Sequence, residues 1–248
     1  MSLLEFRFMS GVLVKQTAAT VIYPDSGVGP FPVFYLLHGS SDDHTNWQRS
    51  SRIESYVSGL PLIVVMPDGY RGYYTNMHEG YDYAKHLAEE LPAKIEANFH
   101  AKTTGKASAI GGLSMGGYGA LRLGLGNLGR YASINSHSGA LLADQRLRSG
   151  GIPGEMDRIF GPYKKGSSHD LLALAKKARQ LGRLPPIRID CGTEDFLLNE
   201  NRSFHASLNK LGVKHEYEEF PGAHTWDYWD LHVRDAIAFH CKALGIKK

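Results

Sequence analysis

The chain has 248 residues, 42% of them hydrophobic, and 28 Lys and Arg against 25 Asp and Glu, for a formal net charge of +3. That is enough apolar material for one large core, and α/β folds of this length commonly form a single domain, here spanning 1–248. The charges are dispersed, with no basic stripe or like-charge block to suggest a nucleic-acid or membrane-surface partner, and no apolar run approaches the roughly 20 residues that cross a bilayer.

From the N-terminus, Leu4, Phe6 and Phe8 alternate with polar positions, without the basic start and continuous apolar core of an export signal, so Leu4 to Phe8 reads as a first strand. Further strands are expected at Ala18 to Tyr23, Val33 to Leu37, Leu62 to Met66, Ala107 to Ile110, Tyr131 to Asn135, Ile187 to Cys191 and Val213 to Phe220. The runs at Val33 and Leu62 are apolar without alternation, as in strands covered on both faces, so the eight-stranded sheet is expected to be mostly parallel. Helices are expected at Arg49 to Ser58, Asp82 to Phe99, Gly117 to Leu125, Leu171 to Leu181, Asn199 to Leu211 and Trp226 to Leu244. In the second of these, Leu87, Leu91, Ile95 and Phe99 make one apolar stripe that Pro92 should kink or divide. Residues 141–186 break the rhythm between the sixth and seventh strands and read as a small, cap-like insertion that either walls a pocket or only covers a helix. The only cysteines, Cys191 and Cys241, lack redox or metal-ligand spacing and are expected to be buried free thiols, in keeping with a reducing, cytoplasmic compartment.

The residues that point to chemistry begin with Gly112-Leu113-Ser114-Met115-Gly116, a serine in a GxSxG frame between a strand-like and a helix-like run. At such a corner the glycines are needed because a Cβ would strike the crowded strand and helix, and the hydroxyl is left exposed at the sheet edge. A serine hydroxyl needs a base to take its proton, and the base needs an acceptor that fixes its tautomer. Loops at the C-terminal ends of later parallel strands are where both should lie. Cys191-Gly192-Thr193-Glu194-Asp195 follows the seventh strand and offers Asp195, with Glu194 as its rival and Asp190 still inside the strand. Pro221-Gly222-Ala223-His224 follows the eighth and offers His224, whereas His215, His232 and His240 fall on elements where a surface or core imidazole is the ordinary explanation. The oxyanion needs N–H donors: Met115 supplies one, and Ser40, with Ser41 in reserve, the other from the His38-Gly39-Ser40-Ser41 loop. His38 is read as a local packing and hydrogen-bonding group.

His38-Gly39 with Trp47, Pro67-Asp68-Gly69, the Gly112 to Gly117 stretch, Gly192-Thr193-Glu194-Asp195 and His224-Thr225-Trp226 together resemble the esterase D-like branch of the α/β-hydrolases, over nearly the whole chain. The resemblance implies an α/β-hydrolase fold and carboxylic-ester hydrolysis, with Ser114, Asp195 and His224 as triad and the Ser40 and Met115 N–H groups as oxyanion hole. Thr225-Trp226-Asp227-Tyr228-Trp229 departs from the Ser-Tyr-Tyr run of S-formylglutathione hydrolases and is closer to bacterial tributyrin and feruloyl esterases. No export signal is expected from the reading of Leu4 to Phe8 as a strand, and that expectation sets the chain apart from the secreted mycolyltransferases of the same branch.

Trp47, Tyr70, Tyr73, Tyr74, Trp226 and Trp229 either line an acyl or aryl pocket or belong to the core, and Tyr74, Asn76 and Trp226 are the candidate substrate-binding residues. Gly124 to Gly129 fits GxGxxG but ends a helix, so a dinucleotide is not expected, and Asp42-Asp43-His44 lacks further ligands at metal spacing. The sequence implies no cofactor. The expected partner is a small-molecule ester, hydrolysed through an acyl-enzyme. Acyl transfer to a sugar or alcohol and a non-catalytic binding scaffold are the alternatives.

Overall fold

The computed structural model describes residues 1–103, 106–142, 152–162 and 164–247. Eight strands run Ser2–Ser10 (β1), Lys15–Tyr23 (β2), Val33–Leu37 (β3), Ile63–Pro67 (β4), Ser108–Gly112 (β5), Tyr131–His137 (β6), Ile187–Gly192 (β7) and Glu216–Phe220 (β8). They form one sheet in the order β1-β2-β4-β3-β5-β6-β7-β8. β2 pairs antiparallel with β1 and with β4, and every other pairing is parallel. The C-terminal ends of β3 and β5 to β8 therefore open on the same edge, where ligand sites of parallel sheets form.

The unalternating apolar strands are explained by two cores, one on each face. From β3, Val33, Tyr35 and Leu37 enter one core, while Phe34 and Leu36 enter the other. β4 divides likewise, Ile63 and Val65 against Val64 and Met66. Each large apolar side chain so buried is worth about 1.5–3 kcal/mol, which is why both faces must be covered by helices. One face takes Tyr83–Lys85 (α3), Leu91–Asn98 (α4), Met115–Gly126 (α5) and Leu171–Gln180 (α7). The other takes Asn46–Ser50 (α1), Ile53–Val57 (α2) and Trp226–Leu244 (α9). Glu155–Phe160 (α6) and Leu198–Lys210 (α8) complete the set.

Three differences from expectation have local causes. The helix expected over Arg49 to Ser58 is two short ones, because Ser51 adopts an extended conformation between them. The long second helix holds its stripe, but His86–Glu90 is a π-turn in which the Leu91 N–H reaches back to the His86 carbonyl. Pro92 has no N–H to give, and widening the preceding turn accommodates it without breaking the helix. The last strand starts at Glu216, not Val213, whose N–H closes the α8 C-terminus on the Leu208 carbonyl. Of the insertion at 141–186, residues 143–151 and 163 lie outside the described residues. The rest carries α6 and α7.

Candidate active site

β5 ends at Gly112 and α5 begins at Met115, which leaves Leu113 and Ser114 to turn the corner. Ser114 sits at φ 52°, a backbone state that costs a non-glycine residue about 1–3 kcal/mol and persists only where the surroundings enforce it. They do so here: the Ser114 N–H donates to the His137 carbonyl of β6 at 2.9 Å, and the Ser114 carbonyl accepts from Ala140 at 3.1 Å. A Cβ at Gly116 would come within 2.5 Å of the Leu37 carbonyl oxygen, and one at Gly112 within 2.7 Å of the Gly116 backbone. Strand, helix and β3 can approach this closely only without side chains at those two positions.

The loops after β7 and β8 bring two distant side chains to the serine. His224 Nε2 lies 3.0 Å from Ser114 Oγ and His224 Nδ1 lies 2.8 Å from Asp195 Oδ2. The second Asp195 oxygen accepts from the Leu197 N–H at 2.7 Å. Burial pushes the Asp195 carboxyl up, but the hydrogen bonds from His224 and Leu197 outweigh it, so its pKa ends below the usual value. The carboxylate thus stays ionised and fixes the proton of His224 on Nδ1, which leaves Nε2 as acceptor toward the serine. Glu194, the rival, is exposed and binds the Gly222 N–H and the Thr193 hydroxyl, so it ties the two loops together without reaching the imidazole.

The loop after β3 is pinned one carbonyl at a time. Trp47 Nε1 donates to Leu37 O at 3.0 Å, the Tyr74 hydroxyl to His38 O at 2.8 Å, His38 Nδ1 to Gly39 O at 2.7 Å and Arg71 Nη1 to Ser40 O at 2.8 Å. His38 Nε2 accepts from the Gly69 N–H at 2.9 Å, so its ring is a fixed spacer, the local role expected of it. Four consecutive carbonyls turned toward side-chain donors set the orientation of the intervening peptides, Ser40 among them. Met115 opens α5, where the first N–H groups have no intrahelical acceptor. Ser40, Ser41 and Ser114 line the same cavity, of about 540 Å³.

Trp226 lines that cavity, as the sequence led us to expect, together with Tyr73, Phe196 and Trp229. Two expectations are corrected. Tyr74 is fully buried, its ring packed where Cβ atoms on Gly69 and Gly119 would stand, so it supports the loop from beneath instead of forming a rim. Asn76 belongs to a different cavity, where its Oδ1 accepts from the Lys85 N–H at 2.9 Å. Trp47 is core, and Tyr70 stacks on Tyr83 away from the cavity. Missed altogether were Phe196 and Arg71. Phe196 is 74% exposed, with its ring centroid 4.5 Å from that of His224. Arg71 holds Ser40 O and also both Glu155 oxygens, at 2.7 and 2.9 Å, which ties α6 of the insertion to the β3 loop. The single signal for Phe196 was its place directly after Asp195; nothing in the sequence pairs Arg71 with Glu155, 84 residues away.

Behind the serine a second imidazole–carboxylate pair is wholly buried. His137 Nδ1 lies 2.9 Å from Asp190 Oδ1, which also accepts from the Tyr228 hydroxyl at 3.0 Å. Burial and then the Asp190 charge push the Tyr228 hydroxyl up, which keeps it a donor. This pair joins β6, β7 and α9 beneath the corner, where the His137 carbonyl holds Ser114.

A nucleophile corner, an imidazole bridging it to a carboxylate and a pinned donor loop are the parts of a serine hydrolase, and comparison with known proteins agrees. Residues 10–240 match the Esterase family model, described as "Putative esterase". The chain is 30% identical to an acetyl esterase of Caldicellulosiruptor saccharolyticus, over 98% of this chain and 99% of the relative. Among solved structures it is similar to the Staphylococcus aureus fluorophosphonate-binding serine hydrolase FphF, with a TM-score of 0.87 and 28% identity over 96% of this chain and 98% of the other. The S. aureus S-formylglutathione hydrolase FrmB is similar at a TM-score of 0.86 and 28% identity, with the same coverage. The chain belongs to the Esterase family, in the esterase D-like branch of the α/β-hydrolases.

Proposed function

We propose that this protein is a serine carboxylesterase that hydrolyses short-chain or aryl esters, with Ser114 as nucleophile, His224 as general base and acid, and Asp195 as the group that orients the imidazole. The observation that carries the reading is the bridge itself, 3.0 Å from His224 Nε2 to Ser114 Oγ and 2.8 Å from Nδ1 to Asp195 Oδ2. In the forward step His224 takes the serine proton as Oγ attacks the ester carbonyl. The negative charge on the carbonyl oxygen is met by the Ser40 and Met115 N–H groups, each donor of this kind being worth about 3 kcal/mol in the transition state. His224 then protonates the departing alcohol, which leaves Ser114 acylated. Water enters and attacks the acyl carbon as it gives a proton to His224; the acyl–Oγ bond breaks, His224 returns that proton to Ser114 Oγ, and the acid leaves.

The cavity supports an acyl or aryl group of modest size, because Tyr73, Phe196, Trp226 and Trp229 supply flat apolar surface beside the serine. Hydrolysis takes precedence over transfer in this reading. Cys191 and Cys241 are buried and neither is in a disulfide among the described residues, which suits a reducing compartment, and cytoplasmic residence is part of the proposal. No helix among the described residues is long and apolar enough to cross a membrane. Ser114→Ala tests the reading: its rate on p-nitrophenyl acetate is expected to fall below about a thousandth of the wild-type rate. A variant that retains more would show that another group performs the reaction.

A further inference from the structure

A second cavity, of about 490 Å³, lies away from Ser114, between the α3–α4 region, the C-terminal half of α5 and the start of α7. Its lining includes Arg122, Lys85, Lys177, Ser167, Ser168 and a single carboxylate, Glu89. Arg122 is the unusual member. It is 9% exposed, yet no carboxylate among the described residues pairs with it. Its one hydrogen bond to a described residue is a long one, Nη1 to the Tyr74 carbonyl at 3.3 Å, and its Nε has no partner. Burial pulls the guanidinium pKa down from its ordinary value.

A buried cation without a counter-charge is costly, and proteins ordinarily pair it or place it where a ligand completes it. Here the surroundings are arranged for an anion. Lys85 and Lys177 stand exposed at the rim, free of ion pairs among the described residues, and with Arg122 they set three positive charges against the one of Glu89. The excess of two matches a dianion. The Ser167 and Ser168 hydroxyls can donate to further oxygens, and a guanidinium fork suits a phosphate better than a point charge does. The volume exceeds what inorganic phosphate alone would fill.

We propose that this cavity binds the phosphate group of a small phosphorylated molecule, with Arg122 at the base and Lys85 and Lys177 at the mouth. The site is separate from the ester-hydrolysing one. It nevertheless touches the same framework, because the Tyr74 whose carbonyl Arg122 holds is the residue whose hydroxyl holds His38 O in the pinned loop.

Calorimetric titration of the full chain with inorganic phosphate and with phenyl phosphate, in a chloride buffer, tests the proposal. Wild type should bind both saturably. The Lys85→Gln/Lys177→Gln double variant, altered only at exposed positions, should bind at least fivefold more weakly while hydrolysing p-nitrophenyl acetate at the wild-type rate, and Arg122→Met should lose binding. Should Arg122→Met fail to fold, the double variant decides. Absence of saturable binding to wild type, or a double variant weakened by less than fivefold, would overturn the proposal, since phosphate held at the Ser114 cavity would ignore both lysines.

Discussion

Ser114 and Asp195 illustrate what a single residue can and cannot disclose about itself. The serine was legible because the corner imposes two glycines, and Gly112 and Gly116 do stand where carbonyl and backbone atoms crowd within 2.7 Å of a Cβ. Asp195 was separable from Asp190 by position, since Asp190 is inside β7 and buried with His137 and Tyr228. Adjacency left Glu194 open, and the choice is made by direction: Asp195 turns inward to His224 and Glu194 outward to Gly222. Asp195→Asn is expected to keep the fold, because its remaining oxygen can still accept from Leu197, while kcat falls by about 10³- to 10⁴-fold as the imidazole loses its fixed tautomer. Steady-state kinetics and a thermal melt check this. A loss smaller than tenfold would mean that Asp195 does not orient the base.

At the scale of elements, strands and helices were read well where periodicity is long and both cores constrain it, as for Trp226–Leu244, whose bounds are as expected. Loops were not. The stretch after β4 has Tyr70, Tyr73 and Tyr74 all at positive φ, so side-chain direction follows no period there, and the pocket-facing residue is Tyr73 where Tyr74 was expected. The link between insertion and donor loop was also hidden, because it depends on Arg71 meeting Glu155 across 84 residues. Charge-assisted hydrogen bonds of this kind are worth about 1.5–3 kcal/mol, and tenfold in rate corresponds to about 1.4 kcal/mol. Arg71→Met should therefore lower kcat about tenfold, with KM little changed, because the Ser40 N–H acts on charge that develops only in the transition state. Arg71→Lys, which retains a donor for Ser40 O, should recover part of the loss. An unchanged kcat in Arg71→Met would show that holding the Ser40 carbonyl, in the next peptide along, does not help to position the Ser40 N–H.

Across the whole molecule, one buried and one half-buried imidazole set the response to acid. Burial, with smaller contributions from nearby groups that include Arg188 and Arg122 respectively, pulls His240 down to about 3 and His169 down to about 4. Between those values and about 6.5 the unfolded chain holds protons that the folded chain refuses, so stability falls as pH falls. Each such histidine contributes a slope of at most about 1.4 kcal/mol per pH unit. A second window opens at lower pH, where carboxyls held low in the fold take up protons. Asp68 is one: burial opposes its charge, but the nearby His38 ring, the Tyr70 N–H at 2.9 Å and the Lys15 ammonium at 3.9 Å together outweigh burial, and its pKa ends at about 2. Urea titrations at pH 7, 6 and 5 should show a monotonic loss of stability, and a flat series would contradict this reading of His240 and His169.

Activation of Ser114 by the side chains gathered around it is the central claim. Intact-protein and peptide mass spectrometry after treatment with a fluorophosphonate measures this directly. One adduct per chain, on the peptide carrying Ser114 and strongly slowed in His224→Ala, is the predicted result. An unlabelled Ser114, or equal labelling rates with and without the imidazole, would contradict the account.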